Sequence, residues 1–173
     1  MSEVPLISII DDDSLARDGI RELVDSLGYK GVTFVSANDF LQSGLIVQTT
    51  CLITDLQMPG LNGLELQEAL RSQEYQTPVI VITAYPDEKH RARAFANGAV
   101  GFLSKPFNEQ CLIDCLNAAI DLRYHRHVAA SQRKSQRIEL RSKAASRYGL
   151  MTSLTGIAVR HAWRCRRSRR RDL

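Results

Sequence analysis

Short apolar runs rich in β-branched residues alternate with segments of helical periodicity along the first two thirds of the chain. These runs are Leu6–Ile10, Val32–Val35, Cys51–Thr54, Val79–Thr83 and Val100–Leu103. An alternation of strands and helices is typical of a parallel sheet that is covered by helices on both faces. Because crossovers between parallel strands are right-handed, few topologies remain. The pattern therefore predicts an α/β fold with a doubly wound, five-stranded parallel sheet.

The helical segments between these runs carry their own start and stop signals. The first segment ends at Gly28, a residue type that is frequent just after the end of a helix. The second opens at Ser36, with Asp39 three residues later, in a pattern that resembles a capping box. The third helix is predicted to follow Gly63, the fourth to begin after Pro86, and the fifth to start at Asn108.

Charge divides the chain into two parts. The net charge of +4 is the sum of −9 in residues 1–122 and +13 in residues 123–173. This asymmetry predicts an acidic folded domain over residues 1–122 that is joined to a basic arm. Residues 123–149 contain too few large aliphatic residues for a core, and we expect them to form a helical linker that continues the fifth helix into solvent. Residues 150–173 are predicted to be a basic, Arg-rich tail.

Composition and the absence of targeting signals indicate a cytoplasmic protein without a membrane partner. The first apolar run is too short for a secretory signal and ends in Asp11. No segment approaches the roughly 20 apolar residues that cross a bilayer. The four cysteines lack metal-ligand spacing, and Cys111 and Cys115 are expected to share a packing face rather than to bind a metal.

Three carboxylates follow two of the predicted strands. Asp11 and Asp12 come directly after the first strand, and Asp55 comes after the third. In the usual flavodoxin-like strand order, 2-1-3-4-5, these two strands are neighbours, and ligands bind at their carboxyl ends. Converging carboxylates repel one another and raise one another's pKa unless a cation neutralises them. The sequence therefore predicts a Mg²⁺ site, since this ion prefers oxygen ligands and commonly meets a phosphate.

Two further strand ends supply complementary groups at the same edge of the sheet. Thr83 ends the fourth run and offers a hydroxyl group, and Lys105 follows the fifth run and offers an ammonium group. Together with the acids, they form a site suited to a phosphoryl group on Asp55, where Lys105 and the metal would absorb the charge of the phosphoryl oxygens. Asp13 lies nearer the helix start and is expected to interact with the helix dipole.

Four motifs resemble the receiver domain of two-component response regulators. They are I-I-D-D-D, T-D-L-Q-M-P-G-L-N-G-L-E-L, V-I-T-A-Y and G-A-V-G-F-L-S-K-P-F, and the resemblance covers about residues 5–122. It implies that Asp55 accepts a phosphoryl group from a sensor histidine kinase, by an autocatalytic reaction rather than by enzymatic turnover. It also implies direct Mg²⁺ ligation by Asp12, Asp55 and the carbonyl group of Gln57, with Asp11 acting through a water molecule.

The same resemblance implies how the signal leaves the site. Thr83 and Phe102 would form a switch pair, and the peptide bond between Lys105 and Pro106 would be cis. The surface formed by the fourth helix, fifth strand and fifth helix would change on phosphorylation and could form a homodimer. From the residues alone, simpler interpretations remain open: the D-D-D run could do no more than cap a helix, and Phe102 could be a core residue.

The C-terminal region leaves the output open. Residues 137–155 resemble the linker that leads into a LuxR-type DNA-binding domain, but only 19 residues follow Leu154. We therefore expect the output domain to be truncated or replaced, with a shifted reading frame as one hypothesis. An alternative function is a DNA-binding transcriptional regulator that uses the basic arm, with Trp163 as a stacking group; a functionless solvated tail is the simpler alternative. An Asp-dependent phosphatase is disfavoured because D-L-Q after the third strand lacks the second acid of a D-x-D pair.

Overall fold

The structure is a computed structural model that describes the backbone of residues 4–166 and the side chains of residues 4–141 and 143. The strands are β1 (Leu6–Ile10), β2 (Lys30–Phe34), β3 (Thr49–Asp55), β4 (Val79–Thr83) and β5 (Ala99–Ser104). The helices are α1 (Ser14–Ser26), α2 (Ala37–Gln42), α3 (Gly63–Ser72), α4 (Glu88–Ala96) and α5 (Glu109–Arg166).

The five strands form one parallel sheet in the order β2-β1-β3-β4-β5. This confirms the predicted fold class and strand order. In the register of the sheet, Ile10 is opposite Thr54, and Asp55 is opposite Ile82. The carboxyl ends of β1, β3 and β4 therefore lie side by side, which places the residues that follow them at one edge.

Both faces of the sheet are covered, and the core consists of two clusters of apolar residues. Ile10 of β1 belongs to the cluster that includes residues of α2, α3 and α4, whereas Ile7 and Ile9 belong to the cluster that includes residues of α1 and α5. Successive side chains of a strand point to opposite faces. This alternation explains why every residue of β1 is buried and why its sequence is almost entirely apolar.

Side chains at the helix N-termini satisfy backbone N–H groups that have no partner within the helix. Asp13 caps α1, Asp87 caps α4, and Ser36 caps α2 by accepting a hydrogen bond from the amide of Asp39, as its sequence predicted. At α3, Asn62 accepts hydrogen bonds from the amides of Leu64 and Glu65, while the Glu65 carboxylate accepts one from the Asn62 amide. This full capping box fixes the start of α3 directly after the β3 loop.

Helix α4 buries a single side chain, that of Ala94. It is held to α3 near its C-terminal end by polar contacts. The buried Gln67 amide donates to the Ala94 carbonyl at 3.1 Å, and Arg93 makes two hydrogen bonds of 2.9 Å to the Glu68 carboxylate. These polar contacts with α3 therefore supplement the small apolar contribution that Ala94 makes to the position of α4.

The chain divides into two compact units, Met1–Arg126 and His127–Leu173. The first unit ends four residues after the predicted domain boundary at residue 122. The predicted helical continuation is confirmed, because α5 extends through the linker and residues 130–141 are exposed. The helix also includes residues 150–166 of the predicted tail; residues 167–173 lie outside the described part, and the tail remains a prediction. Within residues 4–166, no helix is both long and apolar enough to cross a membrane.

Candidate functional site

The three predicted carboxylates meet at the carboxyl edge of the sheet. Asp11 and Asp12 follow β1, and Asp55 is the last residue of β3. One carboxylate oxygen from each lies within 4.8 Å of the others. Asp11 and Asp55 are buried, with 1% and 9% of their surface exposed, whereas Asp12 is exposed. Carboxylates at this separation and burial stay ionised together only when a cation lies nearby.

Lys105 supplies one cation to this cluster. Its Nζ atom donates hydrogen bonds to Asp11 Oδ2 at 2.7 Å and to Asp55 Oδ2 at 2.9 Å. The Lys105 amide also donates to the carbonyl oxygen of Thr83 at 2.7 Å, and the Lys105–Pro106 peptide bond is cis. The ammonium group therefore spans the ends of β1 and β3 although it comes from the loop after β5.

Burial and pairing act in opposite directions on the ionisation of these groups. Burial raises the pKa of the Asp11 carboxyl group, and the hydrogen bond from Lys105 offsets this only in part. Burial alone would lower the pKa of the Lys105 ammonium, but its two carboxylate partners raise it above its usual value. Lys105 is therefore charged at neutral pH.

Every polar group of Asp11 has a partner. Its amide donates to the Phe34 carbonyl at 3.3 Å, its Oδ1 atom accepts from the Asp13 amide at 2.9 Å, and its Oδ2 atom accepts from Lys105. Its carbonyl oxygen accepts a hydrogen bond of 2.6 Å from Nη1 of Arg17. Asp13 caps α1, in agreement with its predicted place at the helix start.

Arg17 was missed by the sequence analysis. It lies in the first turn of α1, where the helix dipole disfavours a cation. A basic residue at such a position, five residues after a pair of acids, is the signal that could have pointed to a specific partner.

The loop after β3 packs closely against the end of the strand. The Asp55 Oδ1 atom accepts a hydrogen bond from the Gln57 amide at 3.2 Å. The Gly63 amide, at the start of α3, donates to the Leu56 carbonyl at 3.1 Å. A Cβ atom at Gly63 would collide with the Asp55 carbonyl oxygen, so only glycine permits this approach. The turn brings the backbone of Gln57 back toward the Asp55 carboxylate.

Thr83 and Phe102 lie on one face of the sheet. In the register of β4 and β5, Val81 is opposite Phe102, and Thr83 is two residues beyond Val81. Thr83 is fully buried, and its Oγ1 atom accepts a hydrogen bond from the Tyr85 amide at 3.1 Å. The Phe102 ring is half-buried and borders a cavity of about 130 Å³ at the start of α4.

The donor set of the cluster fits a hard divalent cation. Three carboxylates and one ammonium leave a formal charge of −2, and the cluster offers only oxygen ligands. Both Asp11 oxygens already accept hydrogen bonds from the protein, whereas the exposed Asp12 carboxylate accepts none within the described residues. Both Asp55 oxygens also accept hydrogen bonds, from Gln57 and from Lys105, so Asp12 is the carboxylate best placed to offer a free oxygen.

Residues 7–117 match the family described as the response regulator receiver domain. The chain belongs to this family. One curated relative is the transcriptional regulatory protein TdiR of Thauera aromatica, which is 35% identical over 76% of this chain and 57% of the length of TdiR. Another is nodulation protein W of Bradyrhizobium diazoefficiens, which is 35% identical over 87% of this chain and 61% of its own length. This response regulator chain thus spans about three fifths of the length of these relatives.

A solved structure agrees with this assignment. The response regulator StyR has a TM-score of 0.72 and 37% identity to this chain, over 77% of this chain and 67% of its own. The family, the strand order and the acidic cluster thus point to one conclusion, that residues 7–117 form a receiver domain of two-component systems.

Proposed function

We propose that this receiver domain accepts a phosphoryl group on Asp55 from a sensor histidine kinase and thereby switches a protein-contact surface. The observation that carries the proposal is the bridge of Lys105 Nζ to Asp11 Oδ2 and Asp55 Oδ2, at 2.7 and 2.9 Å, within a cluster of three carboxylates. A fixed ammonium between two buried carboxylates is a suitable arrangement for charge that develops during phosphoryl transfer.

In the proposed reaction, an oxygen of the Asp55 carboxylate attacks the phosphorus atom of the donor. A P–O bond to Asp55 forms as the bond between phosphorus and the leaving group of the donor breaks, and the leaving group keeps the electron pair. Lys105 holds the reactive carboxylate and balances charge on the transferred oxygens. Asp12, Asp55 and the Gln57 carbonyl would hold Mg²⁺ directly and Asp11 would hold it through water; the ion would supply further positive charge to the phosphoryl oxygens.

The response to phosphorylation is proposed to pass through Thr83 and Phe102. An aspartyl phosphate carries close to two negative charges and several acceptor oxygens. The Thr83 hydroxyl would leave its contact with the Tyr85 amide to donate to a phosphoryl oxygen, and the Phe102 ring would turn inward. The surface of α4, β5 and α5 would then change by a shift between two packings.

Mass spectrometry of the intact protein tests the acceptor. The full chain is incubated with acetyl phosphate and Mg²⁺, and the wild type is expected to gain one phosphoryl group, whereas D55N gains none. D13N is the matched control, because asparagine also caps a helix and Asp13 lies next to the cluster without belonging to it. Equal labelling of D55N and wild type would reject Asp55 as the acceptor.

The chain would act as a phospho-acceptor and not as a turnover enzyme, since its own side chain is consumed by phosphorylation. We also propose that it forms a homodimer through the α4, β5 and α5 face. Phe95 of α4 is 44% accessible to solvent, and Tyr85, in the loop before α4, is 70% accessible. Sedimentation of the chain before and after reaction with acetyl phosphate measures whether phosphorylation promotes the dimer.

A second candidate function, DNA binding through the basic arm, is supported by the α5 extension. Arg133, Arg137 and Arg141 are spaced four residues apart and lie along one side of the helix, with Lys134 beside them, and all four are exposed. TdiR is named as a transcriptional regulatory protein. A row of cations contacts phosphates without reading base sequence, so this arm would supply affinity and not specificity.

Duplex binding at several salt concentrations tests this candidate. In R133Q/R137Q/R141Q, the slope of log K against log salt is expected to fall in magnitude by roughly 0.9 for each phosphate that the variant no longer neutralises. K30Q/K89Q/R91Q is a control that removes the same charge from exposed positions in the first unit. An unchanged slope in the α5 variant would exclude these arginines from DNA contact.

A further inference from the structure

We propose that Arg17 is a positioning residue that holds the turn between β1 and α1, so that the Asp12 carboxylate stays beside Asp55. This inference rests on the proposed function of the cluster as a Mg²⁺-dependent phosphorylation site. It assigns a role to a residue that lies outside the strand-end motifs and that contacts the backbone of the acidic pair rather than a carboxylate.

The position of Asp12 depends on its backbone. Its side chain is exposed, and within the described residues no hydrogen bond reaches its carboxylate. The neighbouring carboxylates differ, since Asp11 and Asp55 each accept a hydrogen bond from Lys105 and another from a backbone amide. What keeps Asp12 within 4.8 Å of the other two is therefore the path of the chain through residues 11–13.

Arg17 holds the peptide unit between Asp11 and Asp12, which is the first part of that path. Its Nη1 atom donates to the Asp11 carbonyl oxygen at 2.6 Å. Because a peptide unit is planar, holding this oxygen also fixes the direction in which the chain enters Asp12. The Asp13 amide, hydrogen-bonded to Asp11 Oδ1 at 2.9 Å, fixes the other side of Asp12. Asp12 is thus held between two anchored peptide groups.

The base of the Arg17 side chain is itself well fixed. Its amide donates to the Asp13 carbonyl at 3.0 Å in the first turn of α1, and Asp13 caps the same helix through a hydrogen bond of 2.9 Å from the Leu15 amide. The side chain is half-buried. The start of α1 therefore acts as a rigid support from which Arg17 reaches back to the end of β1.

The charge of Arg17 and its position have opposite effects on a bound metal ion. A guanidinium next to the cluster repels a divalent cation, so its neutralisation alone would strengthen Mg²⁺ binding. Its hydrogen bond holds a ligand in place, so its loss would weaken Mg²⁺ binding. The sign of the change in affinity therefore separates a positioning role from a purely electrostatic one.

The experiment titrates Mg²⁺ into the unphosphorylated full chain and follows the backbone amide NMR signals of Asp12, Asp13 and Gln57. R17Q is expected to bind Mg²⁺ roughly tenfold more weakly than the wild type, the lower end of the effect of removing a group that orients a metal ligand. R17K keeps the charge that repels Mg²⁺ but loses the planar guanidinium, so it is expected to bind Mg²⁺ more weakly than the wild type and no more tightly than R17Q. R21Q, which removes the same charge one turn further along α1, should bind as tightly as the wild type or more tightly.

The results separate this inference from the proposal on which it rests. If the wild type shows no Mg²⁺ binding, the proposed site itself fails, and the role of Arg17 fails with it. If the wild type binds and R17Q binds equally well or more tightly, the site stands and the positioning role is rejected. Should R17Q fail to give a folded amide spectrum, R17K decides, because a loss of affinity at constant charge supports positioning and an unchanged affinity contradicts it.

Discussion

Replacing Lys105 with methionine tests the electrostatics of the site without an added metal. Methionine has a similar length but no charge, so K105M removes the cation that Asp11 and Asp55 share. The side chains of these acids are only 2% and 11% exposed, and solvent therefore cannot replace the missing partner. We expect a less stable fold in which the cluster carries a formal charge of −3.

The magnitude follows from the burial of the three groups. Removing one partner of a buried ion pair costs about 3–5 kcal/mol. The Lys105 side chain is 22% exposed, so solvent screens part of the interaction and the lower end, about 3 kcal/mol, is expected. A domain with an unfolding free energy of about 5–15 kcal/mol would still fold. The variant should therefore be measurable by equilibrium unfolding.

The free energy of unfolding that K105M loses should depend on pH in a defined direction. Burial already raises the pKa of Asp11, and loss of the ammonium would raise it further. An acid whose pKa is higher in the folded state than in the unfolded state costs stability above its folded-state pKa, and this cost is lost as the pH falls through that value. The difference between wild type and K105M should be largest at neutral pH and should shrink on acidification.

Urea unfolding followed by far-UV circular dichroism, with EDTA present, measures this difference at two pH values. Added Mg²⁺ should reduce the deficit of K105M, because it would supply positive charge to the same carboxylates. K89M is the control, since Lys89 is exposed on α4. A K105M protein as stable as the wild type at neutral pH in EDTA would contradict the assigned burial and pairing.

The junction between β3 and α3 offers two further tests by urea unfolding. G63A is expected to lower the free energy of unfolding by about 1–3 kcal/mol, because the new Cβ atom would collide with the Asp55 backbone. The same variant should react more slowly with acetyl phosphate. G19A is the control: the space around Gly19 is open, so this variant should be at least as stable as the wild type. N62A is expected to lose about 0.5–2 kcal/mol with the capping box of α3, and N62D should restore most of it; equal stability of N62A and wild type would show that the cap contributes nothing.

The sequence predicted most reliably those elements whose pattern is set by burial on both faces of the sheet. The bounds of β1 and β4, Leu6–Ile10 and Val79–Thr83, were predicted correctly, because an uninterrupted apolar run ends where the strand leaves the core. The start of β2 was placed two residues late. This strand begins at Lys30, whose amide donates to the Pro5 carbonyl, so its pairing partner and not its own hydrophobicity sets the boundary.

The acidic cluster was predictable because parallel strands carry their carboxyl ends to one edge. The roles of Arg17 and Gln67 were not predictable. Each side chain donates a hydrogen bond to a backbone carbonyl group that comes close to it only in the folded chain. Gln67 is only 3% exposed, on a helix face that a polar residue would not be expected to occupy. Such residues have ordinary helical spacing, and nothing in the sequence identifies their partner.

Because α4 buries so few of its side chains, its sequence can change with little effect on the fold. Only Ala94 enters the core, while the polar contacts of Gln67 and Glu68 with its C-terminal end keep the helix attached. Amino-acid replacements along the outer sides of α4 therefore cost the fold little. After gene duplication, the outer residues of α4 are therefore free to diverge between paralogous chains while the sheet and its acidic edge stay unchanged.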